Sequence, residues 1–281
     1  MNKKILNIAI QGIEASFHDV AARMYFGQEI NPIKCSSFSK LFESLAQGKA
    51  DFAVMAIENA LAGSILPNYA LMEKFRFKIL GEVYLKIEMC LMCLPGETIN
   101  DIKVVQSHPM AILQCQDFLS SLHGIKIMEH ADTAESAKEI KTRELHHHAA
   151  IASRLAAQTF ELNLLNENIE TNSANVTRFL IICRHEDYKR AHHTNKASLC
   201  FEAKHVPGSL AHILNLFEKY NLNMTKIQSL PIIGRPYHYA FHIDLEWDDV
   251  TKYEAGLIEL NQKTLNLIHF GEYASGGRPT L

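Results

Sequence analysis

A short polar run at residues 173–179 carries the side chains best suited to bind an acid. It leads into the apolar stretch at residues 179–183, which predicts a buried strand. Arg178 is a permanent cation suited to a carboxylate, while Thr177 can donate a hydrogen bond and Asn175 can orient a substrate oxygen. Loops that cap strands favour the same residue types. The run therefore predicts either a ligand-binding strand end or an ordinary cap in which Arg178 pairs with a surface acid.

A second polar pair, Glu58 and Asn59, stands at the end of another predicted strand. It follows a near-continuous apolar run at residues 51–57, which is typical of a sheet covered on both faces. The carboxyl ends of parallel strands are where α/β proteins place their ligands. A charged group there is costly unless it is paired or functional, so Glu58 is either a cap or a site residue.

Two strand-to-helix turns carry further polar groups, one at Ser16 and one at Ser107 with His108. Such turns aim backbone N–H groups at a possible anion, although a simple connection explains each of them as well. His108 either titrates near neutral pH or only hydrogen-bonds its own loop. These turns supply donors to a site only if the fold brings them together.

The order of the predicted elements indicates an α/β protein. Short apolar strands alternate with amphipathic helices up to residue 183, a pattern typical of parallel sheets. The predicted strands cover residues 4–10, 34–36, 51–57, 83–94, 104–105, 125–129, 149–151 and 179–183. The return of the chain at residues 149–183 predicts two lobes, the second at about residues 81–160, with a cleft between them.

The character of the chain changes after residue 184. A polar run follows, and it predicts a linker at residues 187–196. Residues 197–275 then show the order strand, helix, strand, strand, helix, strand. This βαββαβ order is that of the ferredoxin-like fold, and the segment is long enough for an independent domain.

Composition excludes several classes of protein. The 281 residues are 47% hydrophobic and carry a formal charge of −3, so no electrostatic attraction to nucleic acid or to a membrane surface is expected. No apolar run reaches the roughly 18 residues of a membrane span, and the first residues lack a signal-length apolar region. The six cysteines lie mostly in apolar runs, which suits reduced thiols in the cytoplasm.

Two motifs with redox or metal spacing are better explained as structure. Cys90 and Cys93 have redox-motif spacing but fall inside a predicted strand, whereas a reactive thiol needs an electropositive and partly exposed setting. The histidine triplet at residues 146–148 has no second ligand cluster beside it in the sequence and predicts an exposed loop. No metal site is predicted.

Four segments, in order, resemble the motifs of the prephenate dehydratase family. They are residues 12–18, 56–63, 107–115 and 175–179, the last ending in a Thr-Arg-Phe triplet. The C-terminal part resembles the ACT regulatory domain of that family, with residues 206–210 and 223–231 at its two effector-binding segments. Ala15, Ala56, Ala60 and Met110 stand where the family usually has Gly, Pro, Ser and Gln, and Gln228 and Leu230 replace the usual Glu and Arg.

The resemblance implies a two-lobed catalytic domain of the periplasmic-binding-protein-like type at residues 1–186, followed by a ferredoxin-like ACT domain at residues 197–275. It implies the decarboxylating dehydration of prephenate to phenylpyruvate, CO2 and water in phenylalanine biosynthesis, with no metal or organic cofactor. Two alternatives stay open, namely arogenate as the substrate and a non-catalytic ligand-sensing protein. Phenylalanine is the implied effector, bound between ACT domains of a homodimer or homotetramer.

The resemblance also implies roles for individual residues. Arg178 would hold a substrate carboxylate, Thr177 would hydrogen-bond the departing hydroxyl, and the proton would come through Glu58, His108 or water. The implied catalytic residues are Glu58, Asn59, His108, Thr177, Arg178 and Phe179. The implied substrate-binding residues are Ser16, Gly63, Ser107, Gln114 and Asn175. The implied effector-binding residues are Pro207, Gly208, Ser209, Leu210, Asn223, Gln228, Ser229, Leu230 and Pro231.

Overall fold

The computed structural model describes residues 5–279, so the predicted first strand residue, Lys4, lies outside the described part. The chain forms two compact units. Of the described residues, one unit contains residues 5–63, Val83–Phe179 and residues 278–279, and the other contains Ser64–Glu82 and Leu180–Gly277.

Fifteen strands and nine α-helices occur in the described residues, and the predicted alternation of strands and helices is confirmed. The strands are β1 (Leu6–Gln11), β2 (Ile30–Cys35), β3 (Phe52–Asn59), β4 (Gly63–Ser64), β5 (Lys78–Lys86), β6 (Cys90–Cys93), β7 (Val104–Ser107), β8 (Lys126–Glu129), β9 (His148–Ala152), β10 (Asn163–Asn166), β11 (Val176–Cys183), β12 (Lys196–Glu202), β13 (Asn223–Pro231), β14 (Tyr239–Glu246) and β15 (Leu265–Tyr273). The helices are α1 (Phe17–Phe26), α2 (Phe38–Ala46), α3 (Leu66–Phe75), α4 (Pro109–Gln114), α5 (Gln116–Ser120), α6 (Thr133–Thr142), α7 (Arg154–Thr159), α8 (Ser209–Lys219) and α9 (Val250–Lys263).

The first sheet has the strand order β2-β1-β3-β11-β5, with β4 paired to β3. Strand β1 is parallel to both β2 and β3. The central apolar side chains of β1 (residues 8–10) and β3 (residues 53–57) are buried, because a sheet covered on both faces exposes few of them. Helices α1 and α2 are capped by Ser16 and Ser37, whose side chains accept hydrogen bonds from the backbone of the first turn.

The second sheet has the order β10-β6-β9-β7-β8. Strand β7 is parallel to β8 and β9, but β6 is antiparallel to β9 and to β10. The prediction of purely parallel sheets is therefore wrong for this sheet. The sheet also contains β10, a four-residue strand. The apolar pattern does not reveal β10 because two of its residues are Asn.

The single strand predicted at residues 83–94 is two strands in different sheets. Strand β5 ends at Lys86 and belongs to the first sheet, whereas β6 begins at Cys90 in the second. Long-range partners satisfy the backbone between them. Ile87 N donates to Asn175 O at 2.8 Å, and Met89 N donates to Glu170 Oε2 at 2.9 Å. Partners so distant in sequence leave no local signal that the strand is interrupted.

The C-terminal sheet confirms the predicted βαββαβ order. It runs β13-β14-β12-β15, with every pair antiparallel, and it carries α8 and α9. The core contains Phe201 together with Trp247 and Tyr253, whose rings stack with centroids 3.7 Å apart. This is a ferredoxin-like arrangement, and β13 forms one edge of the sheet.

Polar contacts explain why Ser64–Glu82 groups with C-terminal residues in the second unit. Lys196 is buried, and its Nζ lies 2.9 Å from Glu82 Oε1 and 3.2 Å from Glu246 Oε1. Lys226 Nζ donates to Ser64 Oγ at 2.7 Å. Burial of a lysine requires such partners, because an isolated buried charge is costly.

All six cysteines are free and buried, as the sequence predicts for reduced thiols. Burial raises the pKa of the Cys93 thiol to about 11, which supports a structural rather than a redox role for the Cys90–Cys93 pair. Within residues 5–279, no helix is both long enough and apolar enough to cross a membrane.

Candidate functional site

The best-defined polar group of the first unit is built around Asn59, at the end of β3. Its Nδ2 donates to Asn175 Oδ1 at 2.7 Å and to Thr177 Oγ1 at 2.8 Å. Strand β11 begins at Val176, three residues before the predicted start, so Thr177 lies inside the strand next to β3. The structure therefore brings together three of the predicted site residues, which come from segments more than 110 residues apart.

The orientation of the Asn59 amide is fixed by its own loop. Asn59 Oδ1 accepts hydrogen bonds from the backbone N–H groups of Leu61 and Ala62, both at 2.9 Å. Since the oxygen is held by two donors, the NH2 group must be the one that faces Thr177. Thr177 Oγ1 thus acts as an acceptor toward Asn59 and keeps its own hydroxyl proton for another partner.

The same hydrogen-bonded group reaches the helix that follows β7 in the second sheet. Asn175 Nδ2 donates to Gln114 Oε1 at 3.0 Å, and Gln114 is the last residue of α4. The backbone oxygen of Gln114 accepts from Thr171 N at 2.8 Å, just before the polar run. Asn59, Thr177, Asn175 and Gln114 therefore form one continuous amide–hydroxyl network, called the amide network below.

Arg178 does not join the amide network. Consecutive side chains of a strand point to opposite faces, so Arg178 faces away from Thr177. Its guanidinium carbon lies 5.9 Å from the centre of the Tyr84 ring, and the residue is only 3% exposed. Because Arg178 lies within β11 and not in a loop before it, its guanidinium and the Thr177 hydroxyl lie on opposite faces of the strand.

Phe179 is a buried residue whose ring packs against the ring of His18. It is 1% exposed, and its ring meets the ring of His18 edge-on with centroids 5.0 Å apart. His18 Nε2 accepts a hydrogen bond from Ala56 N at 3.4 Å, and burial lowers the pKa of His18 to about 3. Sequence reasoning missed His18 as a site-supporting residue, although its place in the segment at residues 12–18 was a usable signal.

The Ser16 hydroxyl is hydrogen-bonded to the backbone around the start of α1. Its Oγ accepts from Asp19 N at 3.4 Å and donates to Gln11 O at 3.5 Å. The residue before it, Ala15, has a φ of 64°, a left-handed conformation that costs a residue with a Cβ about 1–2 kcal/mol. This explains physically why glycine is suited to that position.

Ser153, which directly follows β9 of the second sheet, contacts the same turn. Ser153 Oγ, at the N-cap of α7, donates to Ala15 O at 2.7 Å. The contact fixes the Ser16 turn against α7 within the first unit. Nothing in the local sequence around Ser153 pairs it with Ala15, since the two residues are 138 positions apart.

The turn at residues 107–108 is also mainly structural. Ser107 is 0% exposed, and its Oγ donates to Ile151 O at 2.6 Å, so it is not placed as a donor to an anion. His108 is half-buried at the N-cap of α4, where its Nδ1 accepts from Met110 N at 3.2 Å. A neutral ring that accepts at Nδ1 carries its proton on Nε2, so His108 is placed as a donor through that atom.

Glu58 and Gly63 flank the amide network in sequence. Glu58 is half-buried, and it precedes Asn59 on β3, so the alternation of strand side chains turns it to the other face. Gly63 has a φ of 80° and is exposed. The structure therefore separates Glu58 from the amide network, and Gly63 acts through its backbone.

The first effector segment lines a cavity of about 370 Å³ beside the start of α8. The lining includes Pro207, Ser209 and Leu210, together with Tyr239 and Phe241 of β14. Gly208 caps α8 with a φ of 79°. The cavity thus combines the predicted turn with aromatic side chains that sequence reasoning did not select.

The second effector segment lies on the edge strand β13. Gln228, Ser229, Leu230 and Pro231 pair with β14 and are not among the residues that line the 370 Å³ cavity. Gln228 Nε2 donates to Ser229 O at 3.0 Å. Asn223, at the other end of β13, lines a different cavity of about 440 Å³ beside Trp247. The 370 Å³ cavity is therefore lined by the first effector segment and not by the second.

Sequence comparison relates this chain to known dehydratases. A profile of the family described as prephenate dehydratase matches residues 8–187. Arogenate dehydratase/prephenate dehydratase 2, a chloroplastic protein of Arabidopsis thaliana, is 34% identical over 254 residues, which are 87% of this chain and 66% of the plant protein. The chain thus spans just under two thirds of the length of that relative.

Comparison with solved structures shows the same fold along almost the whole chain. GqqA, described as a novel type of quorum quenching acylase, has a TM-score of 0.86 at 28% identity, and the match covers 96% of this chain and 98% of that one. Prephenate dehydratase from Arthrobacter aurescens, in complex with L-Phe, has a TM-score of 0.85 at 26% identity and coverages of 96% and 90%. Since the profile spans more than half of its residues, the chain belongs to the prephenate dehydratase family.

Proposed function

We propose that this chain is a carbon–oxygen lyase that converts prephenate to phenylpyruvate, CO2 and water in phenylalanine biosynthesis. The observation that carries the proposal is the polarity of the amide network. Asn59 donates to Thr177 Oγ1 at 2.8 Å, so the threonine proton is available to a substrate oxygen. Family membership supplies the substrate class, and the network supplies the donor that the reaction needs.

The reaction asks for little more than well-placed donors. Prephenate loses its ring hydroxyl and its ring carboxylate, and the C–O and C–C bonds break as the ring becomes aromatic. The departing oxygen takes up a proton and leaves as water, while the carboxylate leaves as CO2. Aromatisation drives these steps, so a donor that stabilises negative charge developing on the hydroxyl oxygen is the main catalytic requirement.

We assign the substrate contacts to the amide network and its neighbours. Thr177 hydrogen-bonds the departing hydroxyl, while Asn175 and Gln114 orient the carboxylates. His108 supplies a further donor through Nε2, as its capping role at α4 supports. The N-terminus of α1, capped by Ser16, offers backbone N–H groups to an anion.

The remaining predicted residues receive positioning roles. We propose that Arg178 holds β11 from its other face, beside Tyr84, and that Phe179 and His18 hold the Thr177 face in place. Ser107 joins β7 to β9 through Ile151. In this proposal Glu58 and Gly63 shape the loop that orients Asn59.

One assay tests the reaction and its alternative. The purified chain is given prephenate and arogenate separately, and phenylpyruvate and phenylalanine are measured. We expect turnover of prephenate. Preferential turnover of arogenate would make the alternative correct, and the name of the Arabidopsis relative includes both activities. Turnover of neither would overturn the enzymatic proposal in favour of a ligand-sensing protein.

An acylase activity is not proposed. Acyl transfer to a hydroxyl nucleophile needs an adjacent general base, and the partner of Thr177 Oγ1 is the Asn59 amide, which donates to it and cannot take its proton. The polarity of the amide network thus suits a hydrogen-bond donor better than a nucleophile.

We also propose regulation by phenylalanine, assembly as a homodimer or homotetramer, and a cytoplasmic location. The Arthrobacter aurescens prephenate dehydratase was solved with L-Phe, and the edge strand β13 can pair with a second copy. Free, buried cysteines suit a reducing compartment. We further propose a catalytic domain at residues 1–186, a linker at residues 187–196 and an ACT domain at residues 197–275. The family profile, which ends at residue 187, supports this division.

A further inference from the structure

Three metal-ligating side chains of different types converge in the second unit. Glu73, Cys200 and His242, here called the Glu–Cys–His cluster, each offer a ligand atom, and these atoms all lie within 4.8 Å of one another. None of the three belongs to the amide network. The cluster therefore needs an explanation of its own.

The fold places the three residues on one side of the C-terminal sheet. Cys200 on β12 stands directly opposite His242 on the antiparallel β14, and residues paired in this way point to the same face. Glu73 reaches this face from α3, where its Oε1 lies 2.7 Å from His242 Nε2. Three separate elements thus supply one ligand each, which is how proteins build metal sites of defined geometry.

Aromatic rings hold the histidine in one orientation. The ring of Phe270 stacks on His242 with centroids 5.8 Å apart and planes within 8°, and Tyr69 meets it edge-on at 5.0 Å. Cys200 and His242 are 1% and 5% exposed. A ligand ring fixed in this way loses little freedom on binding, so the surroundings favour a preorganised site.

We propose that the Glu–Cys–His cluster binds one divalent cation of the zinc class. The ligands are Cys200 Sγ, His242 Nε2 and a Glu73 carboxylate oxygen. Thiolate with imidazole suits Zn²⁺ or Co²⁺, whereas Mg²⁺ and Ca²⁺ prefer sets of oxygen ligands. Glu73, whose side chain is 32% exposed, leaves a side from which water completes the coordination.

A different use of Cys200 is disfavoured. Cys200 is 1% exposed, and a buried thiol is a poor nucleophile because a substrate cannot reach it. A hydrogen-bonded His–Glu pair with a cysteine packed beside it is the competing explanation. The two explanations differ in one observable, because only the metal site requires a sulfur–metal bond.

Metal binding would join α3 to the C-terminal sheet. The cation would contact α3, β12 and β14 at once, and these elements lie together only when the second unit is folded. A ligand that binds only the folded state stabilises it in proportion to its concentration. Metal binding is thus expected to stabilise the second unit. The cation itself would have no direct part in the reaction.

Cobalt titration of the full chain tests the site. The protein is first treated with EDTA and dialysed, and Co²⁺ is added while the near-ultraviolet and visible spectra are recorded. We expect a thiolate-to-cobalt charge-transfer band that saturates at one Co²⁺ per chain and disappears when Zn²⁺ is added. The histidine-rich loop at residues 146–148 cannot produce this band because it contains no thiol.

Matched variants identify the sulfur. Cys200→Ala should abolish the band, whereas Cys115→Ala, at a buried free cysteine outside the cluster, should keep it. Saturating Zn²⁺ should raise the melting temperature of the wild-type chain by about 5 °C or more and leave that of Cys200→Ala unchanged. Absence of the band in the wild-type chain, or its survival in a folded Cys200→Ala chain, would overturn the proposal.

Discussion

The smallest feature on which the proposed reaction depends is one hydroxyl proton. Two backbone donors hold Asn59 Oδ1, so the amide NH2 of Asn59 is aimed at Thr177 Oγ1. We therefore predict that Thr177→Ala lowers kcat by roughly 10²–10³, the effect of losing one transition-state donor. Steady-state kinetics with prephenate measure this, and KM should change far less than kcat.

Thr177→Ser is the matched control. Serine keeps the hydroxyl but loses the methyl group, so most of kcat should remain if the hydroxyl acts as the donor. Near-native turnover of Thr177→Ala would show that the leaving hydroxyl is stabilised elsewhere.

His18 makes stability dependent on pH. In the unfolded chain a histidine takes up a proton below its ordinary pKa of about 6.5, whereas the buried His18 ring stays neutral until about pH 3. Protons therefore favour the unfolded state over this window, and the free energy of unfolding should fall as the pH drops from about 6.5 to about 3. A single such group costs about 2 kcal/mol at pH 5.

Denaturant unfolding at pH 7 and pH 5 tests the role of His18. His18→Gln keeps a hydrogen-bond acceptor for Ala56 N but does not titrate. The variant should therefore lose less stability than the wild-type chain between the two pH values. Equal losses would assign the acid sensitivity to other groups.

Side-chain types were readable from the sequence at this scale, but their directions were not. Thr177, Asn175 and Asn59 were identified as polar groups at strand ends, and the structure joins them. Arg178 follows Thr177 directly in the sequence, yet its guanidinium lies over the ring of Tyr84. The difference follows from where β11 begins, because a strand that starts at Val176 puts residues 177 and 178 on opposite faces.

At the scale of elements, the turn before α1 lies close to the N-cap of α6. Gly12 has a φ of 90°, and a Cβ added there would lie 2.7 Å from Asp132 Oδ2. Asp132 cannot move freely because its Oδ1 caps α6 by accepting from Glu135 N at 3.0 Å. We predict that Gly12→Ala destabilises the chain by the cost of a positive φ plus the cost of this clash.

Gly96→Ala separates the two costs. Gly96 has a φ of 91°, but an added Cβ would meet nothing within 4 Å, so only the backbone cost of about 1–2 kcal/mol applies. The destabilisation by Gly12→Ala should exceed that by Gly96→Ala by about 1 kcal/mol or more, because displacing Asp132 weakens a helix cap. Chemical denaturation of both variants measures the difference, and equal losses would show that Asp132 moves aside freely.

Local pattern also explains which elements could be predicted. The helix caps Ser16, Ser37, Asp132 and Ser153 each accept a hydrogen bond from the backbone N–H three residues ahead, so the signal for a cap is local in sequence. The break between β5 and β6 was not recognisable. It depends on Asn175 and Glu170, which are more than 80 residues further along the chain.

At the scale of the whole molecule, the sequence revealed the C-terminal module but not the arrangement of its effector segments. The βαββαβ order follows from alternating apolar patterns, each of which is local. The separation of the cavity at Pro207 from Gln228 on β13 depends on how α8 and β14 pack together. Regulation must therefore be argued from contacts that connect β13 to the rest of the chain.

One such contact yields the last prediction. Lys226, two residues before Gln228 on β13, donates to Ser64 Oγ at 2.7 Å, and Ser64 follows Gly63 on β4, the short strand after Asn59. If phenylalanine binds at the C-terminal module, it should raise the melting temperature and change the rate of prephenate turnover, because an effector acts through its differential affinity for two states.

Two variants test this route. Lys226→Met should keep the thermal shift and lose most of the rate response. Lys219→Met, which removes an exposed lysine paired with Glu259 in the same module, should keep both the thermal shift and the rate response. A full rate response in Lys226→Met would contradict this route, and a wild-type chain indifferent to phenylalanine would contradict the regulation itself.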